Sequence, residues 1–209
     1  MEWNPYRLSD KALEILMERA VKRFEAAKSD ASVAEFDELT VLSVVRDLYE
    51  ELRRDNEEIF LELAQKCYED SVPHGDDKPG YDWLLALLLA YDPVTKYVYQ
   101  NEVDRKRERL AEALNASPEK AKEFLVALGL WTKMTGQYAD TVTYQSAMKA
   151  YKDAGIKFVR WVSEQDDRRC DICKQRHGKI YPIDHVPAKP HWGCRCHVFP
   201  LNKKADLNE

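Results

Sequence analysis

Residues 170–196 read CDICKQRHGKIYPIDHVPAKPHWGCRC and hold four of the chain's five cysteines and three of its five histidines. A Cys-x2-Cys pair opens this stretch, and a His-x2-Cys-x-Cys cluster closes it. Two such turns, separated by a short loop, have the spacing of a tetrahedral structural zinc site, because each turn directs its ligands towards one point. The five candidate ligands are Cys170, Cys173, His191, Cys194 and Cys196.

The choice of four ligands among these five stays open, because a structural zinc ion takes four. If residues 194–198 are extended, Cys194 and Cys196 face the same side and both reach the ion, while His191 only supports a ligand. Alternatively, His191 binds the ion and one of the two cysteines merely packs. We favour this second set, in which Cys170 and Cys173 bind together with His191 and either Cys194 or Cys196. We expect three other histidines to be bystanders, because they lie outside both paired turns: His177, His185 and His197.

Two other interpretations of the cysteines are a disulfide pair and thiols that only pack. Disulfides need an oxidising compartment, and the sequence starts MEWNPYRLSDK without an apolar signal segment, so we do not expect export. Small buried cysteines also rarely gather four to one short stretch. Cys67 stands alone in a helical pattern and is expected to be a buried, inert thiol.

The composition describes a helix-rich globular chain that can hold one large or two small domains. Of its 209 residues, 44% are hydrophobic, 33% are charged and only 7 are glycine. The longest apolar run, 83–91, is far shorter than the roughly 20 residues that span a bilayer, so we expect no membrane role. The net charge of -5 is divided unevenly, with -9 on residues 1–150 and +4 from residue 151 onward. This division disfavours an extended nucleic-acid surface on the helical part.

Two long helices are predicted at the N-terminal end. The first covers residues 9 to about 28, with Ser9 as its N-cap and residues 29–32 as its end. The second covers about 33–70 without Pro or Gly, and its polar run at 53–58 is the expected place for a bend. We expect the two helices to pair as an antiparallel hairpin.

Further helices follow a Pro/Gly-rich loop at 71–80. Asp82 caps a short helix that is apolar all round and therefore expected to be buried or docked. Asp-Pro and Ser-Pro start signals open two more helices. A further helix follows them, and Gly155 ends it as a C-cap. The predicted ranges are 83–91, 94–114, 118–136 and 140–154.

Three short strands are predicted after this helix, at 156–163, 178–183 and 194–199. Strands this short bury little, so a metal crosslink would supply what their small core lacks. The expected fold class is α+β, mostly α: a long helical N-terminal body with a small C-terminal zinc-stabilised β module. The expected parts are a helical hairpin at 1–80, a helical region at 81–155, a zinc-binding β module at 156–200 and a flexible tail at 201–209.

The order of motifs in residues 147–200 resembles the C-terminal module of the phage head-morphogenesis family, which comprises minor head, Mu-F-like proteins. Residues 91–114 also look like the helical region of minor head proteins. One departure is Trp192, where the family pattern has proline. The positions that carry the resemblance are Gly155, Arg160-Trp161, Asp166 or Asp167, Arg169-Cys170, Cys173, His177-Gly178-Lys179-Ile180-Tyr181, Pro190-His191, Cys194-Arg195-Cys196 and Pro200.

The resemblance implies a structural component of the virion or procapsid that has no catalytic activity. It implies docking at the portal vertex or the inner capsid, with the phage portal protein as the first partner. The major capsid protein, a scaffold protein and packaged DNA are further candidate partners, and no membrane is expected. The implied location is the virion, in the head interior or at the portal vertex, and the host cytoplasm during assembly. Structural zinc is the one implied cofactor.

Two other functions compete with this one. The first is a nucleic-acid-binding zinc module that contacts phosphates. The second is a zinc-stabilised nuclease or transferase, although five soft ligands favour a closed site over a catalytic one. We also expect Arg195 to form a salt bridge with Asp166 or Asp167. The candidate phosphate contacts are Arg168, Arg169, Lys174, Arg176, Lys179 and Arg195, and the candidate catalytic groups are Asp166, Asp167, His177 and His185.

Overall fold

The computed structural model describes residues 6–33, 38–71, 82–90, 138–191 and 193–201. This part of the chain is mostly helical and has a small three-stranded antiparallel sheet near its C-terminal end, as predicted. Within it, every helix is either too short or too polar to cross a membrane. The predicted helices at 94–114 and 118–136 and Trp192 fall outside the described residues, as does the tail from residue 202. Of the predicted loop at 71–80, only Ser71 is described, and it is the last residue of a helix.

The two predicted N-terminal helices are present, with different ends. Helix α1 covers Tyr6–Val33 and helix α2 covers Glu38–Ser71. The predicted break at 29–32 is wrong, because that stretch has no Pro or Gly to stop the helix. Ser9 is not the N-cap, since it lies inside α1, where its hydroxyl donates to Asp140 Oδ1 at 2.7 Å. Helix α2 stays helical through 53–58.

Ion pairs join α1 to α2 in antiparallel order. Arg19 contacts Asp55 and Glu58, whereas Arg23, one turn later, contacts Glu51 and Asp55. Asp55 is buried, and a buried carboxylate is costly unless an opposite charge lies near it. Its two arginine partners supply that positive charge. Apolar side chains at helical spacing form the buried faces of this part of the chain: Ala12, Leu16, Ala20, Phe24, Leu48, Leu52, Ile59 and Phe60.

Helix α3 occupies residues 82–90 and includes Asp82, the predicted cap. Leu84 is buried, but Leu85 and Leu89 are 41% and 63% exposed. The apolar helix is thus not covered all round among the described residues.

The chain divides into two compact units. One contains Met1–Asp10, Glu62–Leu84 and Gln137–Glu209, and the other contains Lys11–Leu61 and Leu85–Gly136. The cysteine-rich stretch lies wholly in the first unit. This unit is discontinuous in sequence, since it combines the start of α1 and the end of α2 with the C-terminal residues.

Helix α4 covers Ala139–Asp153 and ends where the sequence predicts. Gly155 has a φ of 71°, a left-handed conformation that residues with a side chain rarely adopt. Its N–H donates to Lys152 O, and the N–H of Ile156 donates to Tyr151 O, both at 3.0 Å. These two bonds form a Schellman motif, which turns the chain from α4 into the sheet.

The sheet has the strand order β2-β1-β3, and both pairings are antiparallel. Strand β1 covers Phe158–Val162, β2 covers Ile180–Pro182 and β3 covers His197–Leu201. The third strand therefore begins three residues later than predicted and includes Leu201. Residues 194–196 precede the ladder, and two of them, Cys194 and Cys196, are buried in the cysteine cluster.

A core of buried side chains connects the sheet, α4 and the cysteines. Val159 and Trp161 from β1 are fully buried in it, and Cys67 of α2 and Leu8 of α1 pack against the same residues. The predicted burial of Cys67 is thus confirmed, and this side chain completes the core of the C-terminal strands. The other buried members are Ala147, Tyr151, Cys173, Ile183, Cys194, Cys196 and Val198.

Candidate metal centre

The first cysteine pair is placed by a short helix that the sequence analysis missed. Helix α5 covers Asp171–Arg176, and Cys170 is its N-cap. The Cys170 sulfur accepts a hydrogen bond from the backbone N–H of Cys173 at 3.4 Å, and Cys173 is buried in the first turn. Such an N–H···S bond satisfies one free helix-end donor and stabilises a thiolate. The first turn of α5 therefore presents two sulfurs on one side.

The second cluster is held in irregular chain just before β3. Gly193 has a φ of 66° and allows a tight turn ahead of Cys194. Cys194 and Cys196 are both buried, whereas Arg195 between them reaches Asp166, as predicted. The alternation that the sequence suggested thus holds for the side chains even though these residues are not in a strand.

The five predicted ligands fall into two overlapping groups that could hold a metal ion. One group is Cys170, Cys173 and His191, and the other is Cys173, Cys194 and Cys196. Within each group the candidate ligand atoms lie within 4.8 Å of one another. Cys173 belongs to both groups and is therefore the centre of the cluster.

The sulfur spacing fits a metal better than it fits a disulfide. All five cysteines are free, and Cys173 Sγ lies 3.5 Å from Cys194 Sγ. Two zinc–sulfur bonds of about 2.3 Å in a tetrahedral arrangement separate the sulfurs by about 3.8 Å, whereas a disulfide bond is about 2.05 Å long. The donor set and its spacing therefore suit a thiophilic cation.

The pKa values of the thiols show how closely they interact. A hydrogen bond from Cys196 lowers the pKa of Cys194 to about 5, and the pKa of Cys196 is raised in return. Burial raises the pKa of Cys173 to about 12. Burial opposes ionisation of Cys170 too, but hydrogen bonds from Cys173 and His191 outweigh it and lower that pKa. One of these cysteines ionises readily. Several thiolates could lie together only if a bound cation offset their negative charge.

A lysine lies on the inner side of the cluster. Lys189 Nζ donates to Cys194 O at 2.7 Å and to Asp140 O at 3.1 Å. It also lies 5.3 Å from the ring centroid of Tyr144, in a cation–π arrangement. Burial lowers the pKa of Lys189, while the nearby Asp140 carboxylate and the cysteines act in the opposite direction. Sequence analysis gave this residue no role, because nothing in its local pattern sets it apart.

The three bystander histidines lie outside both ligand groups. His177 Nδ1 accepts a hydrogen bond from the Ser163 N–H at 3.1 Å, which links the end of α5 to the end of β1. His185 is exposed in the 3-10 turn Ile183–His185, and His197 is the buried first residue of β3.

Most of the basic side chains proposed for other functions contact neighbouring residues of the same module. Asp166 faces Arg195 and Arg168, and Lys174 pairs with Asp171. Arg169 donates to Gln165. Arg176 donates to Ala188 O and lies over the Trp161 ring at 5.0 Å from its centroid. These contacts give most of the basic residues a local role in shaping the module.

A cavity of about 30 Å³ opens beside the cysteines. This volume is enough for a water molecule or a small ion. Its lining includes all five candidate ligands together with Ser163, Glu164, Arg168, Arg169, Gly193 and Arg195.

Comparison with known proteins agrees with the resemblance in sequence. Residues 129–199, about a third of the chain, match the family described as "Phage Mu protein F like protein". This range includes α4, strands β1 and β2, the first three residues of β3 and all five candidate ligands. No curated protein and no solved structure matches the chain. The C-terminal segment at 129–199 is thus similar to the Phage Mu protein F like family, as the motif order in the sequence predicted.

Proposed function

We propose that this chain is a structural protein of phage head morphogenesis whose C-terminal module is held by one zinc ion. The observation that carries the proposal is that the segment matching the Phage Mu protein F like family contains the five clustered ligand candidates. The module performs no turnover in this proposal, and its zinc stabilises a fold with a small core.

The zinc ion takes four thiolates, from Cys170, Cys173, Cys194 and Cys196. His191 then supports the site from outside by donating a hydrogen bond to the Cys170 sulfur, a contact that helps lower the pKa of that thiol. Three observations support this assignment. Cys173, Cys194 and Cys196 are buried, these three cysteines form one of the two candidate ligand groups, and His191 is exposed. Closed four-sulfur sites are structural, in contrast to catalytic sites with an open position.

Elemental analysis and cysteine variants test the assignment. Protein purified without chelator should contain one zinc per chain, and Cys173→Ser should contain almost none. Cys67→Ser is the matched control, because Cys67 is buried outside both ligand groups. His191→Ala should keep the zinc with weaker affinity. A zinc-free His191→Ala protein that remains folded would instead make His191 a ligand.

The partner in this proposal is the phage portal protein, with the protein placed at the portal vertex or the inner capsid of the virion. Leu85 and Leu89 support docking through α3, because they lie one turn apart and are open to solvent. Co-expression with the portal protein and size-exclusion chromatography should give a complex that Leu89→Asp weakens. Ile172→Asp is the matched control, since Ile172 is an exposed apolar residue on α5. Absence of any complex with the unmodified protein would contradict this role.

A second candidate function is contact with packaged DNA through the basic residues of the module. Arg168 favours it, because its side chain is 78% exposed beside the cysteine cavity. Salt-sensitive DNA binding that disappears with charge reversal at Arg168 and Arg169 would support this function. Metal-dependent cleavage of DNA would contradict both structural proposals and favour an enzyme.

A further inference from the structure

The position of Lys189 gives this residue direct access to the backbone of the candidate ligands. Its ammonium group donates to the carbonyl oxygen of Cys194, and the ring of Tyr144 covers it on another side. Lys189 comes just before His191 in sequence, yet its ammonium group contacts the turn that carries Cys194. Lys189 thus connects the segment before His191 to the Cys194 turn of the same cluster.

The net negative charge of the proposed zinc site explains why a positively charged side chain belongs beside it. Four thiolates and one zinc ion carry a net charge of -2, and three thiolates with one neutral imidazole carry -1. A buried group with net negative charge is costly unless an opposite charge lies near it. Arg195 cannot fill this role fully, because it is in contact with the Asp166 carboxylate.

We infer that Lys189 is the built-in counter-ion of the metal centre and a positioning residue for the Cys194 turn. This inference rests on the proposed zinc site and goes beyond it, since Lys189 binds no metal. Its ammonium charge offsets the thiolates of Cys173, Cys194 and Cys196, and its hydrogen bond holds the Cys194 backbone in place. Lys189 thereby raises zinc affinity without changing the ligand set.

Asp140 provides an internal opposing charge. It is a buried residue whose backbone oxygen accepts from Lys189 and whose carboxylate accepts from the Ser9 hydroxyl. The carboxylate attracts the same ammonium group that offsets the thiolates. Removing the Asp140 charge should therefore favour zinc, whereas removing the Lys189 charge should disfavour it. A purely structural role would make both substitutions weaken the site.

The test is the zinc affinity of the full chain, measured at one pH by competition with a chromophoric chelator. Lys189→Gln removes the charge but keeps a hydrogen-bond donor, and zinc affinity should fall about tenfold or more. Lys157→Gln is the matched control, because it removes an exposed lysine charge from the same module. Asp140→Asn keeps an acceptor for Ser9, and zinc affinity should rise roughly twofold to fivefold.

Cobalt(II) provides a readout of the ligand set. The visible absorption bands of the cobalt-loaded Lys189→Gln protein should keep their wavelengths, since the same sulfurs bind the metal. Shifted bands would mean displaced ligands and would overturn the counter-ion role, as would zinc affinity equal to that of Lys157→Gln. If Lys189→Gln fails to fold, Asp140→Asn decides, and affinity equal to or below the unmodified protein overturns the inference. An unmodified chain that binds no zinc would instead overturn the proposed site itself.

Discussion

Arg195 Nη2 lies 2.5 Å from Asp166 Oδ1, so the residue between the last two cysteines is tied to the turn before the first pair. The Arg195 side chain is only 16% exposed, and its hydrogen bond holds the pKa of Asp166 below its ordinary value. The contact crosses from one cysteine cluster to the other without using a ligand. It aligns the two ligand turns from the outside.

Asp166→Asn should lower the melting temperature slightly and reduce zinc affinity. The asparagine keeps the shape of the side chain but loses the charge that Arg195 faces. The effect should shrink at high salt, because the aspartate is solvent-accessible and its charge is screened. Differential scanning fluorimetry at two salt concentrations measures it, and Asp167→Asn is the control. An equal loss in both variants would contradict the specific pairing with Arg195.

Gly155→Ala should lower the free energy of unfolding by about 1 kcal/mol, because alanine is strained at positive φ. An added Cβ meets no atom within 4 Å, so backbone strain and not a clash sets the cost. Gly155→Asn should cost less, since asparagine tolerates the left-handed conformation better. Chemical denaturation gives both values. Equal losses for the two variants would argue against backbone strain as the cause.

The Asp153 carboxylate should make stability fall with acid. Burial acts to raise its pKa, but hydrogen bonds from Lys149 and Tyr68 outweigh this effect and lower the pKa. A lowered carboxylate pKa contributes stability above the ordinary value of 3.8, and the contribution is lost as pH falls below it. Asp153→Asn should therefore be less stable than the unmodified protein at pH 7, and the difference should shrink as the pH falls below 3.8. Melting curves across this range provide the measurement. A stability difference between the two proteins that does not depend on pH would contradict a lowered pKa of Asp153.

Cys67 should react much more slowly than Cys170 in the metal-free protein. Burial raises its pKa to about 12, so thiolate is scarce near neutral pH. The stability that comes from its neutral form is complete below the ordinary pKa of 9.0 and is lost as pH rises towards 12. Alkylation after zinc removal, followed by peptide mass spectrometry, should label Cys170, which is half-buried and has a lowered pKa, well before Cys67. Early labelling of Cys67 in folded protein would contradict its burial.

Zinc removal should loosen the sheet more than the paired helices. Chelation should increase hydrogen exchange in Phe158–Val162 and His197–Leu201 by about tenfold or more, since the proposed metal crosslink supports these short strands. Residues 48–60 of α2 belong to the other compact unit and serve as the internal reference. Uniform loosening of both regions, or no change in the strands, would contradict a local structural role for zinc.

Local patterns predicted the features that depend on neighbours in sequence. The cysteine spacing indicated the ligand cluster, Gly155 marked the end of α4, and alternation around Arg195 predicted its salt bridge. Each of these signals is a short motif, although the Arg195–Asp166 contact itself joins residues 29 positions apart. The helical body and the small sheet also follow from patterns of this kind.

Features that depend on distant contacts or on very short elements could not be predicted. Helix α5 has six residues, too few for a helical period to be recognised. The Ser9–Asp140 bond joins positions 131 residues apart, and the ammonium contacts of Lys189 depend on the same packing. Strand β3 starts late because the cysteines before it face the cluster, a constraint that strand propensity does not contain.

The contribution of Leu8 and Cys67 to the core of the C-terminal strands has a consequence for biosynthesis. A ribosome releases these two side chains long before Trp161 and Val198, their neighbours in the finished fold. The apolar surfaces near them stay uncovered until the three strands have been translated. Nascent chains stopped before the cysteine-rich stretch would expose that surface to chaperones and proteases, so the C-terminal strands complete a core to which α1 and α2 contribute.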